Sequence, residues 1–215
     1  MSRTGYHSPR REQAAAATRE AILEAARDLF SAQGYSRTTV GQIAKVAQVA
    51  ANTVYTSVGG KSHLLRAIVD DGSGDPAGGE TLAAVARATD PAEVIRLTAA
   101  GVRRVNERHA QGIGIVLDSA KDDSAAAEIH RIAHRRFRQG LDQSARRLEE
   151  LGAVESVAQA SDVFWYLFGF NSWRTLVTDL EWSWAEAEHW LAQRAVDALL
   201  SRRTRRRTPT GRSDD

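Results

Sequence analysis

The chain contains no cysteine, which excludes disulfides, thiolate metal sites and cysteine nucleophiles. Proline is also scarce: it occurs only at positions 9, 76, 91 and 209, so long stretches have no helix breaker. The most apolar run, DVFWYLFGF at 162–170, is much shorter than the roughly 20 residues of a membrane-spanning helix. No apolar region follows the opening MSRTGYHSPRR, so we expect no signal peptide. These absences predict a soluble, cytoplasmic protein.

Lysine is rare as well, and the overall charge of +2 is distributed unevenly. Residues 1–72 hold nine basic and six acidic residues, whereas residues 73–200 hold fourteen and nineteen. The last segment, 201–215, holds six basic and two acidic residues. A basic beginning and a basic end around an acidic middle indicate that one end of the molecule meets a polyanion.

Apolar residues recur at helical spacing nearly throughout the chain, with no sustained alternation, which predicts an all-α fold. The run DDGSGDPAGG at 70–79 is the clearest break in this pattern. It divides the chain into an N-terminal domain with its arm, 1–72, and a larger helical domain, 73–203. The basic tail, 204–215, is expected to be disordered.

The pattern also predicts where the individual helices lie. A first stripe formed by Ile22, Ala26, Leu29 and Phe30 ends at Gly34. Further helices are predicted over about 39–47, 50–57, 61–71, 80–88, 91–109, 124–151, 155–179 and 183–203. The segment QGIGIVLDSA at 111–120 is expected to be a short, weak helix and a hinge.

The segment ILEAARDLFSAQGYSRTTVGQIAKVAQVAANTVYTSVGGKSHLL, residues 22–65, resembles the DNA-binding domain of the tetracycline-repressor (TetR) family. The resemblance rests on many residues in order: Ala25, Ala26, Phe30, Gly34, Tyr35, Thr38, Thr39, Val40, Ile43, Ala44, Ala47, Val49, Thr53, Tyr55, Lys61, Leu64 and Leu65. It implies a helix-turn-helix that binds palindromic double-stranded operator DNA as a homodimer, most often as a repressor released by a small molecule.

The residues of this segment fit that implication. Thr39 is placed to cap the first helix of the motif, and small side chains at the start of the second helix would allow close approach to the major groove. By the resemblance, Ala51, Asn52 and Thr53 face bases, and Thr39, Tyr55 and Lys61 contact phosphates. Asn52 can pair with adenine through two hydrogen bonds, and Gln48 is a further candidate at the groove edge. Val49, Val54 and Val58 are expected to close the small core instead.

Four positions depart from the usual pattern of the family. They are Gln48, Ala50, Ser57 and Val58, where the family usually has Gly, Ser or Thr, an aromatic residue or His, and Phe. Without Gly, the turn must either hold Gln48 in a disfavoured backbone conformation or change shape. Without a hydroxyl at residue 50, the second helix loses its usual cap, which is worth about 1 kcal/mol.

For the remainder of the chain, the resemblance implies a helical body that dimerises and binds an effector. An apolar stretch at 161–177 and a stripe on the last helix would form the dimer interface: Phe164, Leu167, Trp184, Ala187, Leu191, Ala195, Ala198 and Leu199. Candidates for an apolar or aromatic ligand pocket are Val105, His109, Ile113, Val116, Leu117, Phe137, Trp165, Phe168 and Trp173. Its candidate polar anchors are Asn106, His130, His134 and Asn171.

The sequence gives no reason to expect catalysis, a cofactor or a metal. His130 and His134 share a helix face, but no third ligand is evident and the arginines beside them oppose a cation. No nucleophile motif or phosphate-binding glycine loop is present. The alternative that stays open is a helical small-molecule-binding protein or enzyme that has lost DNA binding. A second alternative keeps DNA binding and has no effector.

Overall fold

The computed structural model describes residues 9–206, apart from the side chains of residues 73 and 201–206. The elements within this range are helical: α1 (Pro9–Gln33), α2 (Val40–Val46), α3 (Ala51–Ser57), α4 (Lys61–Ser73), α5 (Pro76–Arg87), α6 (Pro91–Ser119), α7 (Ser124–Glu150), α8 (Val157–Phe168), α9 (Phe170–Arg174) and α10 (Trp184–Arg206). A π-helical turn, Thr175–Asp179, follows α9. The prediction of an all-α fold is therefore confirmed for this range. Residues 1–8 of the predicted arm and 207–215 of the predicted tail lie outside the described residues.

The chain forms two compact units. The first contains the residues up to Gly72 together with Ala110–Ala133. The domain boundary predicted from the sequence placed residues 110–133 in the larger domain, 73–203. The second contains Ser73–His109 and the residues from His134 onward. Among the described helices, none combines the length and apolarity that crossing a membrane requires.

The core of the first unit joins the predicted stripe of α1 to its other helices. Its members are Ile22, Leu23, Ala25, Ala26, Phe30, Tyr35, Ile43, Ala44, Val54, Leu64, Leu65, Ile68, Ile115, Val116, Ala126 and Ile129. The last four come from the 110–133 segment. Gly112 allows α6 to approach α4 closely, because a Cβ atom there would lie 3.0 Å from Ile68 Cγ2.

Tyr35 connects α1 to the rest of this core. Its side chain is 4% exposed, and its ring packs edge-on against Phe30 with a centroid separation of 5.1 Å. The Lys61 ammonium lies 4.3 Å from the centroid of the Tyr35 ring. Burial, assisted by the charge of Asp123, raises the pKa of the Tyr35 phenol to about 12.

In the second unit, α8 packs directly against α10. The most buried large side chains of its core are Ile95, Leu141, Leu148, Phe164, Phe168, Trp173 and Leu191. The prediction of one continuous helix over 155–179 is wrong, because Gly169 adopts an extended conformation (φ −65°, ψ 156°) between α8 and α9. A side chain at this position would collide with the backbone, since a Cβ atom would lie 2.4 Å from the Trp165 carbonyl oxygen.

Asp75 fixes the beginning of α5, four residues earlier than predicted. Its carboxylate is 3% exposed and accepts a hydrogen bond from the Ala77 N–H at 2.8 Å. Arg108 Nη1 lies 2.6 Å and His109 Nε2 2.8 Å from the same carboxylate oxygen. Burial alone would raise the pKa of Asp75, but these hydrogen bonds and the guanidinium charge outweigh it and lower the pKa.

The two helices predicted to meet near residue 109 are one helix, α6, interrupted at His109. This residue has non-helical backbone angles (φ −111°, ψ 17°). No proline stands at this point in the sequence. The interruption instead coincides with the hydrogen bond between the imidazole and Asp75, a partner 34 residues away that helical periodicity does not reveal.

Two helical glycines provide a matched test of packing. A Cβ atom at Gly101 would lie 2.2 Å from Thr81 Oγ1, whereas one at Gly140 would meet nothing within 4 Å. We expect Gly101→Ala to destabilise the protein by about 1–3 kcal/mol through overpacking. Gly140→Ala should stabilise it by about 0.5–1 kcal/mol, because alanine loses less backbone entropy on folding. Thermal unfolding of both variants measures this, and shifts of the same sign would contradict the packing of Gly101.

Burial of Tyr35 predicts a loss of stability in alkali. The folded pKa lies above the unfolded value of about 10, so the stabilisation is complete below pH 10 and is lost as the pH rises to about 12. In denaturant titrations, the free energy of unfolding of the wild type minus that of Tyr35→Phe should therefore decline over this pH interval. Tyr166→Phe is the control, because Tyr166 is 78% exposed. Parallel curves for the wild type and Tyr35→Phe would contradict this prediction.

Candidate nucleic-acid interface

The helix α2 begins with the cap that the sequence predicted. Thr39 Oγ1 accepts a hydrogen bond from the Gln42 N–H at 3.2 Å, and Gln42 Oε1 accepts one from the Thr39 N–H at 2.8 Å. This reciprocal pair is a capping box. The Thr39 hydroxyl also lies 3.0 Å from Gln42 Oε1. The cap holds Thr39 exposed at the start of the motif.

The turn between α2 and α3 takes the first of the two expected forms, in which Gln48 holds a disfavoured backbone conformation. Its φ is +55°, in the left-handed region. The Val49 N–H donates to Ala44 O at 2.9 Å and the Gln48 N–H to Lys45 O at 3.3 Å. This pairing is a Schellman motif, in which Gly normally takes the position of Gln48. A residue with a Cβ atom costs roughly 1–2 kcal/mol in this conformation.

The start of α3 lacks a side-chain cap, as the absence of a hydroxyl at residue 50 predicted. Ala50 occupies the N-cap position with extended angles (φ −69°, ψ 148°), and no side chain caps the helix. The core positions of α3 also agree with the sequence. Val54 is fully buried, while Val49 and Val58 are half-buried and pack against the core.

The opposite face of α3 is uncovered within the protomer. Ala51 and Asn52 are exposed, and the Tyr55 side chain is 56% exposed. Thr53 is half-buried. The Thr56 hydroxyl, by contrast, lies 3.0 Å from the Asn52 carbonyl oxygen of its own helix.

Lys61 has a structural role that its position in the sequence does not reveal. Its ammonium donates to Tyr35 O at 3.0 Å and to Ser36 O at 3.3 Å. These carbonyls lie in the connection between α1 and α2, so Lys61 ties the start of α4 to that connection. An ammonium has three N–H donors, so these two bonds leave one for a phosphate.

Three cations that sequence reasoning missed lie around the motif. Arg19 Nη1 donates to Ser57 O at 3.2 Å and so joins α1 to the end of α3. Arg37 and Lys45 are exposed, one before α2 and one in its last turn. Arg37 and Lys45 could have been found from the sequence, because they stand beside the predicted ends of α2. Arg19 could not, because its hydrogen bond to Ser57 spans 38 residues.

The residues predicted for a ligand pocket lie in both units. In the second unit, the His134 ring stacks on Trp165 with a centroid separation of 4.0 Å, and Phe137 lies 5.8 Å from the same ring. Phe137 also stacks against Phe170 at 4.8 Å. We call these four residues the aromatic cluster. The structure thus brings three of the predicted residues together and adds Phe170.

The other predicted pocket residues have separate environments. Phe168 and Trp173 belong to the buried core, where Trp173 Nε1 donates to Phe168 O at 3.2 Å. Asn106 is buried and donates to Val102 O at 3.0 Å. The remaining members differ in exposure: Val116 is buried, Asn171 is exposed, and five are half-buried, namely Val105, His109, Ile113, Leu117 and His130.

Most residues predicted for the dimer interface are covered within their own protomer. Those with at most 9% exposure are Phe164, Leu167, Ala187, Leu191 and Ala195. Trp184 and Leu199 are half-buried, and Ala198 is exposed. The first five have almost no surface left to bury against a second subunit. Among the described side chains of α8 and α10, the large apolar ones that are exposed are instead Tyr166 and Trp190, at 78% and 41% exposure.

Residues 22–68 match the family described as bacterial regulatory proteins, tetR family. No curated protein matches the chain. Among solved structures, the SmeT–triclosan complex has a TM-score of 0.69 at 21% identity, with 85% of this chain and 91% of that chain covered.

Two further solved structures share the fold. The fatty acid degradation regulator FadR from Bacillus halodurans has a TM-score of 0.68 at 17% identity, with coverage of 82% of this chain and 93% of FadR. The TetR-family regulator PfmR from Thermus thermophilus has a TM-score of 0.62 at 23% identity, with coverage of 84% and 95%. At these identities the likeness establishes the fold, while the match at 22–68 covers the helix-turn-helix. On these two findings, the chain has the fold of TetR-family transcriptional regulators, and its residues 22–68 form a helix-turn-helix of the tetR family.

Proposed function

We propose that this regulator binds palindromic operator DNA as a homodimer and represses transcription until an apolar or aromatic small molecule releases it. The observation that carries the proposal is the uncovered face of α3, formed by Ala51, Asn52 and Tyr55, in a helix-turn-helix with a capped first helix. A helix with small or amide-bearing side chains on its free face fits the major groove.

The proposed contacts fall into two kinds. Asn52 pairs with adenine and Thr53 offers its methyl or hydroxyl group to a base, while Ala51 allows close approach. Thr39, Tyr55 and Lys61 contact phosphates, which position the protein without selecting a sequence. The hydroxyl of Thr39 and two donors of Lys61 already serve internal bonds. Their phosphate contacts therefore use the remaining hydrogen-bonding capacity of each group.

A palindrome requires two recognition helices about 34–36 Å apart, and hence two subunits. We propose that the exposed stripes of α8 and α10 form the interface. On α8 this stripe contains Ala158, Asp162 and Tyr166, and on α10 it contains Glu186, Trp190, Arg194 and Asp197. Tyr166 and Trp190 offer the largest apolar surface of the two stripes, and aromatic residues are enriched at protein interfaces.

The proposed effector is apolar or aromatic because the second unit carries the aromatic cluster, whose rings are half-buried. Aromatic faces favour stacking with flat, weakly polar molecules. Two proteins of similar fold are associated with apolar or aromatic molecules: SmeT was solved in complex with triclosan, and FadR regulates fatty acid degradation.

Selection of bound duplexes from a random pool tests DNA binding. The wild type should return a palindrome, and Asn52→Ala should relax the preference at one base pair of each half-site by about 1–3 kcal/mol. Tyr55→Phe and Lys61→Ala should weaken binding to all sequences. Loss of the Lys61 ammonium should reduce the slope of log K against log salt by about 0.9 for each lost phosphate contact, whereas Tyr55→Phe removes a neutral hydroxyl and should leave the slope unchanged.

Arg96→Ala is the control for charge, because it removes an exposed cation from α6 in the second unit. Its salt slope should equal that of the wild type. Thermal unfolding of Lys61→Ala separates loss of the Tyr35 and Ser36 contacts from loss of a phosphate contact. A wild type that enriches no sequence at low salt would exclude operator binding and favour a helical ligand-binding protein or enzyme.

Charge on the exposed stripes tests the dimer. Tyr166→Glu and Trp190→Glu should each shift the protein from dimer to monomer in sedimentation equilibrium, because a buried unpaired carboxylate is costly. Their helical content by circular dichroism should not change. Tyr55→Glu, a matched aromatic replacement on α3, should remain dimeric. If both stripe variants stay dimeric at micromolar concentration, the interface lies elsewhere.

A further inference from the structure

Gln48 holds a backbone position that normally requires glycine. It lies at the first position after the C-cap of α2, with φ +55°. The hydrogen bond from the Val49 N–H to Ala44 O closes the turn around it. Glycine at this position would keep both turn hydrogen bonds and remove the steric conflict of the Cβ atom.

The side chain of Gln48 does not compensate for this conflict within the protomer. It is exposed, and its carboxamide makes no hydrogen bond to the part of the chain that the structure describes. Asparagine is the residue other than glycine that most readily adopts left-handed angles, because its shorter side chain can bond to the local backbone. Glutamine has one more methylene group and makes no such bond here. Folding stability therefore gives no reason for glutamine at this turn.

The location of residue 48 next to the proposed recognition helix gives a reason for glutamine in terms of DNA binding. Gln48 is followed by Val49 and by Ala50, the N-cap of α3. The first exposed side chains there are the single methyl groups of Ala50 and Ala51. A long carboxamide beside such short side chains is not obstructed by them. Glutamine presents one donor and one acceptor together, which matches the N6 and N7 atoms of adenine in the major groove. Strained backbone positions cluster at functional sites.

We infer that Gln48 is a specificity-determining residue that reads an adenine edge in each half-site, beside the base pairs read from α3. This inference rests on the proposed operator binding. The left-handed backbone at residue 48 directs the carboxamide, and the protein gives up stability at the turn to keep it.

Positive φ by itself assigns no function. Among the described residues, one other non-glycine residue has it: Glu181, with φ +58°, which is exposed after the π-helical turn of the second unit. Glu181 thus provides a control with the same backbone feature outside the helix-turn-helix.

Three variants separate the backbone strain from the contact. Gln48→Ala keeps a Cβ atom and removes the carboxamide, whereas Gln48→Gly removes both. Glu181→Gly relieves the strain at the control site. Each variant and the wild type are analysed by thermal unfolding and by selection of bound duplexes from the same random pool.

We expect the melting temperature to rise by about 3 °C in Gln48→Gly and Glu181→Gly and to stay near the wild-type value in Gln48→Ala. Both variants of Gln48 should lose preference for adenine at one position of each half-site, while Glu181→Gly should keep the complete wild-type preference. Titrations of the wild-type consensus duplex should show binding at least about thirtyfold weaker for both Gln48 variants, because the dimer loses one contact in each half-site. A duplex with that adenine replaced should bind the wild type and both variants alike.

Each contrary result has a distinct meaning. Unchanged base preference in both Gln48 variants overturns the inference, and uniformly weaker binding with unchanged preference overturns it in favour of a phosphate contact. An unchanged melting temperature in Gln48→Gly overturns the premise that the turn is strained. A wild type that enriches no duplex overturns the proposed function itself, and the inference with it.

Discussion

A helix of seven residues is too short to be stable in water by itself, so α3 depends on the helices that it packs against. No side chain caps its start, and Val54 is its one fully buried residue. Val54 lies in a core that takes residues from α1, α2, α4, α6 and α7. The rest of the first unit is therefore a scaffold that holds one short helix with its opposite face uncovered.

The scaffold is fixed at two points where the chain changes direction. The capping box of Thr39 and Gln42 sets the start of α2, and Lys61 binds the carbonyl oxygens of Tyr35 and Ser36 between α1 and α2. Residues proposed to contact phosphate thus also hold the motif together. Because Lys61 has both roles, a substitution there should affect folding and DNA binding together, so stability and affinity must be measured separately.

Local pattern predicted much of the fold and of the candidate interface. Helical periodicity located most of the helices, and the position of Thr39 predicted its cap. The Gly and Ser that the family usually has identified Gln48 and Ala50 as the positions where a strained or reshaped turn and a missing cap were expected. These features depend on residues within one turn of each other. The bonds of Asp75 to His109 and of Arg19 to Ser57 span 34 and 38 residues, and no local pattern indicated them.

Which face of a helix becomes buried also depends on residues distant in sequence. An apolar stripe on α10 identified an amphipathic helix, but it could not say whether the protomer or a second subunit covers that stripe. Packing of α8 on α10 buried Phe164 and Leu191 within the protomer and left Tyr166 and Trp190 exposed. By itself, the sequence determined the helical fold through its periodicity, and the resemblance of residues 22–65 to the TetR family determined the helix-turn-helix and its two unusual turn residues, because each of these signals lies within a short segment of chain. Only the tertiary structure decided which side chains are covered and which remain available to partners, because burial depends on segments distant in sequence.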